Sequence, residues 1–207
     1  MKKLHKSNLF CWSVFDEDRN IDFHSYLWVR DEGNVIFDPL PLTEHDRKHV
    51  MSLGAISHIV ISNSDHVRDA KQLADDTGAM LCGPAGESED FPIPCAQWLG
   101  EGSGIIDGLA VYSLAGSKTE GELAFVVEGE TLITGDLIRA HVGGSLCLLP
   151  DGKLKDKEKA VASLKKIADI NGIRAVLPGD GWPVFRNGAE VLSELLSELL
   201  SEVLPKP

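Results

Sequence analysis

The stretch that decides the fold is Ile59-Val60-Ile61-Ser62-Asn63-Ser64-Asp65-His66. Its apolar beginning predicts a buried strand, and the segment from Val67 onward predicts a helix that starts directly after it. An Asp and a His at the carboxyl end of a strand lie where α/β sheets place their chemistry. The stretch therefore predicts an α/β protein with a functional site at this strand end.

Three other apolar segments end in the same way, in a glycine turn followed by a polar side chain. The turns are Gly116-Ser117-Lys118 after Leu114, Gly135-Asp136 after Thr134, and Gly179-Asp180-Gly181-Trp182 after Pro178. Glycine lets the backbone turn sharply or approach a ligand closely at such points. We expect these turns to bring polar side chains to one rim of a sheet.

The order of predicted elements is β-rich, βαβ, β-rich and αβα. Two sheets packed face to face, with helices outside, would bury every apolar face of such a chain. The expected architecture is a four-layer αββα sandwich in a single domain over residues 1–207. The helices are predicted over Glu44 to Ser52, Val67 to Thr77, Lys157 to Ile170 and Gly188 to Val203.

Charge and composition exclude several classes of partner. The formal net charge is −12, and nucleic acids and anionic membranes are bound by clusters of Lys and Arg. We therefore expect a small-molecule ligand or substrate, with no nucleic acid and no membrane. The basic start of the chain lacks the apolar core of a signal peptide, so a cytoplasmic location is expected. The four cysteines form no C-x-x-C pair and are expected to be free thiols.

The four polar turns together resemble the motifs of the metallo-β-lactamase fold superfamily, over nearly the whole chain. The family's H-x-H-x-D-H motif is matched by residues 61–66, and its G-H-T-P-G turn by residues 116–121 with one extra residue. Its strand-Gly-Asp turn is matched by residues 132–136 and its P-G-H-G turn by residues 178–181. The resemblance implies an αββα sandwich of the metallo-β-lactamase type. The Gly-Asp turn is more similar to the glyoxalase-II branch than to the lactamases proper.

The chain departs from the family at the ligands of one metal. The positions of those ligands hold Ile61, Asn63 and either Ser117 or Lys118, and isoleucine cannot bind a metal. The resemblance implies that the second metal's ligands are Asp65, His66, Asp136 and Asp180, the last of which replaces a His. One divalent metal is therefore expected, zinc, manganese or iron, with a metal-free protein as the alternative.

The resemblance implies hydrolysis of a small ester, thioester or related bond with at most one metal ion. Asp65, Lys118 and Arg139 are the candidate catalytic residues, and the two cations would stabilise a developing oxyanion. The alternative is a non-catalytic relative that binds a small anionic ligand through Lys118 and Arg139.

Several of these residues also have purely structural interpretations, which are alternatives to the metal-binding and catalytic roles. Asp65 can be the N-cap of the helix from Val67, and Asp136 can bond backbone N–H groups in a turn. Trp182 is expected in the core rather than on a pocket wall. Arg139 and His141 are expected on the loop after Asp136, and that loop is expected to be solvated at His141. The final helix repeats Leu-Ser-Glu units, which favours a helix that covers a sheet, with a homodimer as the alternative.

Overall fold

A computed structural model describes residues 1–203 of the chain. These residues fold into two compact units, one from Met1 to Leu99 and one from Gly100 onward. Each unit carries its own sheet, its own helices and its own cluster of buried apolar side chains. The single-domain expectation stays a prediction, and the units are described one at a time.

The first unit is a seven-stranded sheet whose strands lie in chain order. Neighbours from the first to the fourth strand pair antiparallel, and neighbours from the fourth to the seventh pair parallel. Parallel pairing brings the carboxyl ends of the fourth and fifth strands to one edge. The strands are β1 (Lys2–Lys3), β2 (Leu9–Asp16), β3 (Ile21–Trp28), β4 (Asn34–Phe37), β5 (Ile56–Val60), β6 (Met80–Pro84) and β7 (Gln97–Leu99).

The two helices of this unit are α1 (Glu44–Ser52) and α2 (Ala70–Thr77). The α1 bounds are as predicted, because the Thr43 hydroxyl accepts a hydrogen bond from the Asp46 N–H at 3.1 Å and caps the helix. The predicted start of α2 at Val67 is wrong. A 3₁₀ turn at Ser64–His66 comes first, and Arg68 then takes a left-handed conformation with φ of 44° that a helix cannot contain.

The second unit has a four-stranded sheet in the order β13, β10, β9, β8 and a separate hairpin of β11 and β12. Strands β10 and β13 are parallel, with Thr134 opposite Pro178, so the turns that follow them emerge at the same edge. The strands are β8 (Leu109–Ser113), β9 (Leu123–Val127), β10 (Thr131–Thr134), β11 (Ile138–Val142), β12 (Ser145–Leu148) and β13 (Ala175–Pro178).

The helices of the second unit are α3 (Lys157–Ala168) and α4 (Gly188–Val203). The apolar stripe of α4 buries Val191, Leu192 and Leu195 in the core of its own unit. This contact supports the interpretation of α4 as a covering helix. A homodimer stays a prediction.

Strand β11 was not predicted from the sequence. Arg139 and His141 were expected on a loop after Asp136, and the structure places both on this strand. The expectation was wrong because Arg and His interrupt the apolar pattern, whereas the hairpin is held by pairing of Ile138 with Leu148 and of Arg139 with Cys147.

All four cysteines are free, as expected, and Cys11 and Cys82 are buried. Burial raises the pKa of Cys82 to about 12 and that of Cys95 to about 11, so both stay protonated thiols at neutral pH. Among residues 1–203, none of the helices combines the length and the apolar character that crossing a bilayer requires.

Candidate active site

In the first unit, a hydrogen-bonded group of polar side chains lies at the carboxyl ends of β4 and β5. His66 is buried, and its Nδ1 lies 2.8 Å from Asp38 Oδ2 and 3.1 Å from Ser62 Oγ. Asp38 also accepts hydrogen bonds from the Ser62 N–H and hydroxyl, both at 2.7 Å. A carboxylate at Nδ1 fixes the orientation of the imidazole ring.

Asp38 is itself held in place from several directions. Its backbone takes a left-handed φ of 47°, which is costly for a residue other than glycine. The Ser25 hydroxyl donates to its carbonyl oxygen at 2.5 Å, and Arg68 Nη1 donates to the same oxygen at 3.0 Å. These bonds keep the Asp38 carboxylate in position for Ser62 and His66.

The remaining residues of the first motif, which spans residues 61–66, differ in their exposure to solvent. Ile61 and Asn63 are fully buried, and Ile61 packs in the apolar core of its unit. Asp65 is exposed on the 3₁₀ turn, and its N–H donates to Asn63 Oδ1 at 2.9 Å. Asn63 is therefore the capping residue of this turn, and Asp69 is the residue at the start of α2. Asp65 does not cap the helix.

In the second unit, a pair of buried carboxylates lies at the edge where β10 and β13 end. Asp136 and Asp180 are both buried, and one carboxylate oxygen of each lies within 4.8 Å of the other. Arg139 Nη2 donates to Asp180 Oδ2 at 2.8 Å in an ion pair that is almost inaccessible to solvent. Asp180 Oδ1 is buried and has no hydrogen-bond partner among the described residues.

Glu122 connects the turn at residues 116–121 to the turn that carries Asp136. Its carboxylate is fully buried, accepts a short hydrogen bond from the Ser117 hydroxyl, and accepts a second from the Leu137 N–H at 2.9 Å. Ser117 is thus the inward-facing residue of its turn, whereas Lys118 is exposed. Glu122 fixes the backbone directly after Asp136.

The turn after Asp180 is fixed against β11. Gly181 pairs with Ala140 in a parallel bridge, and a Cβ at Gly181 would lie 2.0 Å from the Ala140 carbonyl oxygen. The next residue, Trp182, donates its N–H to that oxygen at 2.6 Å and leaves 62% of its surface exposed. The expectation that Trp182 packs in the core was wrong. The bridge between Gly181 and Ala140 fixes the backbone directly before Trp182, and the indole ring lies at the surface.

His141 lies on β11 with its side chain exposed. Desolvation of the ring, and then the charge of Arg139, lower the pKa of His141 below its usual value. The neutral imidazole is therefore the main form at pH 7.

Asp38, Ser62 and Glu122 hydrogen-bond to or beside the candidate site residues, and sequence reasoning did not single them out. Asp38 follows the apolar strand β4, and Glu122 immediately precedes the apolar strand β9. A carboxylate at the end of a buried strand was the signal that could have identified Asp38 and Glu122. Neither residue belongs to one of the four motifs.

Comparison with known proteins gives the family. The sequence profile of the metallo-beta-lactamase superfamily matches residues 1–199. A search of the curated proteins found no match to this chain. The chain therefore belongs to the metallo-β-lactamase superfamily, and its α/β fold is of the metallo-β-lactamase type. The glyoxalase-II branch stays a prediction.

Several solved structures share this fold. DIM-1 metallo-beta-lactamase has a TM-score of 0.73 and 15% identity, with 96% of each chain covered. A metallo-beta-lactamase from Pontibacter korlensis has a TM-score of 0.74 and 14% identity, covering 94% of this chain and 96% of its own. FIM-1 from Pseudomonas aeruginosa, in its mono-zinc form, has a TM-score of 0.70 and 11% identity, covering 96% of this chain and 95% of its own.

Proposed function

We propose that the protein is a hydrolase of small esters, thioesters or related bonds that uses a single divalent metal ion. The observation that carries the proposal is the buried Asp180 Oδ1, which has no hydrogen-bond partner among the described residues and lies in a turn beside Asp136. A buried carboxylate oxygen without a partner is costly, and a cation offsets that cost. These residues fit a divalent ion.

His66 is the proposed third ligand, with Asp65 as a further one. Membership of the superfamily and the order of the four motifs support this assignment. The bond from His66 Nδ1 to Asp38 also supports it, because this carboxylate–imidazole arrangement is usual behind a metal-binding His. One imidazole and two or three carboxylates suit manganese or iron as well as zinc.

A single ion, rather than two, is proposed because the other set of ligands is missing. Ile61 and Asn63 occupy its first two positions and are buried, and Ser117 is engaged with Glu122. The structure of FIM-1 in a mono-zinc form indicates that this fold is compatible with one bound ion.

The side chains have distinct proposed roles. A divalent ion bound there supplies Lewis acidity and acidifies a water molecule. Arg139 holds the Asp180 carboxylate through Oδ2, and Oδ1 would be the oxygen that binds the ion. Lys118, exposed on its turn, supplies positive charge to the oxyanion that develops on the substrate. Asp65, exposed one residue before His66, would accept a proton from the water molecule that such an ion acidifies.

Metal binding is tested by adding Zn²⁺, Mn²⁺ or Fe²⁺ to chelator-treated protein and measuring the melting temperature and metal content. Binding to the folded state stabilises it, by about 2.7 kcal/mol when the free ion is at a hundred times its Kd. We expect one ion per chain, and loss of binding in Asp180→Asn. The matched control is Asp107→Asn, an exposed Asp in the same unit. Absence of a stoichiometric ion and of any thermal shift would contradict the metal site.

Hydrolysis is tested with the metal-loaded protein on a panel of small thioesters and esters. Lys118→Ala is expected to lower kcat about a hundredfold, as removal of an oxyanion donor does. Lys165→Ala, an exposed Lys on α3, is the control. Binding of a small carboxylate without turnover of any substrate would favour the non-catalytic alternative, in which Lys118 and Arg139 hold an anionic ligand.

A further inference from the structure

Two polar turns of the second unit leave the same edge of its sheet. The Lys118 turn (residues 116–121) follows β8, and the Asp136 turn (residues 135–137) follows β10. Strand β9 lies between β8 and β10 and is antiparallel to both, so the ends of those two strands lie beside its start. Glu122 is the residue directly before that start and therefore lies between the two turns.

The Glu122 carboxylate makes a hydrogen bond to each of these turns. Its Oε2 accepts a short hydrogen bond from the hydroxyl of Ser117, which directly precedes Lys118. Its Oε1 accepts a hydrogen bond at 2.9 Å from the N–H of Leu137, which directly follows Asp136. One carboxylate therefore connects the residue beside Lys118 with the residue beside Asp136.

The three residues that share these bonds are inaccessible to solvent. Glu122, Ser117 and Leu137 each have an exposed fraction of 0%. Hydrogen bonds in such a buried group are stronger than in water, because the local dielectric is low. Loss of either bond would leave a polar atom without a partner in a place that water does not reach, and this cost holds the carboxylate in one arrangement.

Each turn also has backbone hydrogen bonds of its own. The carbonyl of Leu137 accepts from the Leu149 N–H at 2.9 Å, and the carbonyl of Ser117 accepts from the Lys155 N–H at 3.2 Å. These bonds do not use the Glu122 side chain, so they remain when that side chain is changed. We therefore expect a change at Glu122 to shift the side chains on the two turns rather than to unfold the turns.

We propose that Glu122 is a positioning residue of the hydrolase, which acts on metal affinity through Leu137 and on turnover through Ser117. The inference rests on the proposed function, in which Asp136 is a metal ligand and Lys118 stabilises the oxyanion. Loss of a group behind a metal ligand typically lowers metal affinity or activity about ten- to a hundredfold. The two oxygens of one carboxylate therefore have separate effects, which separate measurements detect.

Glu122→Met and Glu122→Gln test the carboxylate as a whole. Methionine has a similar length but no carboxylate oxygens, whereas the glutamine amide can accept from the Leu137 N–H and donate to the Ser117 hydroxyl. In calorimetric titration with Zn²⁺ alone, we expect Glu122→Met to raise the Kd about tenfold and Glu122→Gln to leave it nearly unchanged. An unchanged Kd in Glu122→Met, with the variant folded by circular dichroism, would overturn the effect on metal affinity.

Ser117→Ala tests the bond to Oε2 alone, because the bond from Leu137 to Oε1 remains. We expect kcat at saturating Zn²⁺ to fall about tenfold while the Kd for Zn²⁺ stays unchanged. A purely structural role would change both quantities together. A Kd raised as much as in Glu122→Met would therefore overturn the separation of the two effects.

Ser163→Ala is the matched control for Ser117→Ala. The Ser163 hydroxyl is also buried, and it bonds the N–H and the carbonyl of Ala115, directly before the Lys118 turn, at 2.8 and 3.0 Å. We expect neither kcat nor the Kd for Zn²⁺ to change in this variant. An equal loss of kcat in Ser163→Ala would mean that any loosening near the turn lowers turnover, and would overturn the role of the Ser117 bond.

The combination of metal binding and turnover separates this inference from the proposed function. A raised Kd for Zn²⁺ in Glu122→Met, without hydrolysis of any thioester or ester by the unchanged protein, would keep the effect on metal affinity and remove the hydrolase. Hydrolysis with the same kcat and the same Kd in every variant would keep the hydrolase and remove the positioning role. Absence of Zn²⁺ binding by the unchanged protein would remove both.

Discussion

The ion pair of Arg139 with Asp180 is the side-chain interaction of the second unit whose loss we expect to affect stability most. Their ion pair is buried, and removal of one member of such a pair leaves the other as an uncompensated buried charge. The guanidinium is therefore required by the protein itself as well as by the proposed chemistry.

Arg139→Ala is expected to lower the free energy of unfolding of the metal-free protein by about 3 kcal/mol, measured by urea denaturation. Adding Asp180→Asn is expected to recover part of this loss, because the buried charge is then removed. The control is Arg19→Ala, whose pair with Asp16 at 3.8 Å is largely exposed and contributes well under about 1 kcal/mol. Equal losses in the two single variants would contradict the buried pair.

His58, on β5, makes stability depend on pH. Burial, and then the charge of Arg30, lower its pKa below the ordinary 6.5. Above pH 6.5 the imidazole is neutral in both states and contributes no pH dependence. As the pH falls below 6.5, the unfolded chain binds the proton first, so stability is lost until the folded-state pKa is passed.

His58→Gln is therefore expected to lose less stability than the unchanged protein between pH 7 and about pH 5. Urea denaturation at several pH values measures the difference, and His45→Gln, an exposed His on α1, is the control. A steeper pH dependence in His58→Gln would show that the sign is wrong.

Single residues of the candidate site could be predicted only where a motif marked them. His66, Asp136 and Asp180 follow apolar strands in recognisable turns, and the structure buries all three. Asp38 is hydrogen-bonded to His66, which lies 28 positions later in the chain, and Glu122 to Leu137, which lies 15 positions later. These pairs come into contact only when the strands that carry them pair. Such long-range contacts leave no local pattern in the sequence.

Among the helices and strands, the bounds of an element could be predicted where the local sequence marks them, by a capping residue or by a sustained apolar stripe. Helix α1 is capped by Thr43, and α4 has a sustained apolar stripe, so both have the predicted bounds. Strand β11 lacks such a signal because its stability comes from pairing with β12. At the interruption, the Arg68 side chain donates tertiary hydrogen bonds to His24 in β3 and to Asp38 directly after β4, and the local sequence does not reveal these partners.

The contact between Gly116 and the start of α3 is a second tertiary constraint. A Cβ at Gly116 would lie 2.2 Å from the Asp156 carbonyl oxygen and 2.4 Å from the Ala160 nitrogen. Gly116→Ala is therefore expected to destabilise the protein by about 1–3 kcal/mol more than conformational strain alone requires.

Gly129→Ala is the matched control for Gly116→Ala. Gly129 has a φ of 71°, close to the 83° of Gly116, but nothing lies within 4 Å of its Cβ position. Thermal denaturation of both variants separates backbone strain, which they share, from the clash, which only Gly116→Ala introduces. Identical melting temperatures would refute the close approach of α3.

For the whole molecule, the net charge of −12 is the dominant electrostatic property. Most of the described ion pairs are exposed, and such pairs contribute little to stability. We therefore expect repulsion among the excess carboxylates to outweigh the attraction of these pairs.

Raising NaCl from about 10 mM to about 150 mM is expected to increase the melting temperature by a few degrees, because salt screens repulsion beyond about 8–10 Å. A scan with an equal osmolarity of an uncharged sugar is the control for osmotic effects. A lower melting temperature in salt would mean that attractive pairs outweigh the repulsion.

The Arg139–Asp180 pair also has a consequence for how this chain relates to its superfamily. An Asp at position 180 brings a buried negative charge that a neutral His does not, so it is tolerated where position 139 carries a cation. The two positions should therefore vary together during evolution. In an alignment of close relatives, Asp at 180 should accompany Arg at 139, and His at 180 should accompany an uncharged residue at 139. Independent variation of positions 139 and 180 would contradict this coupling.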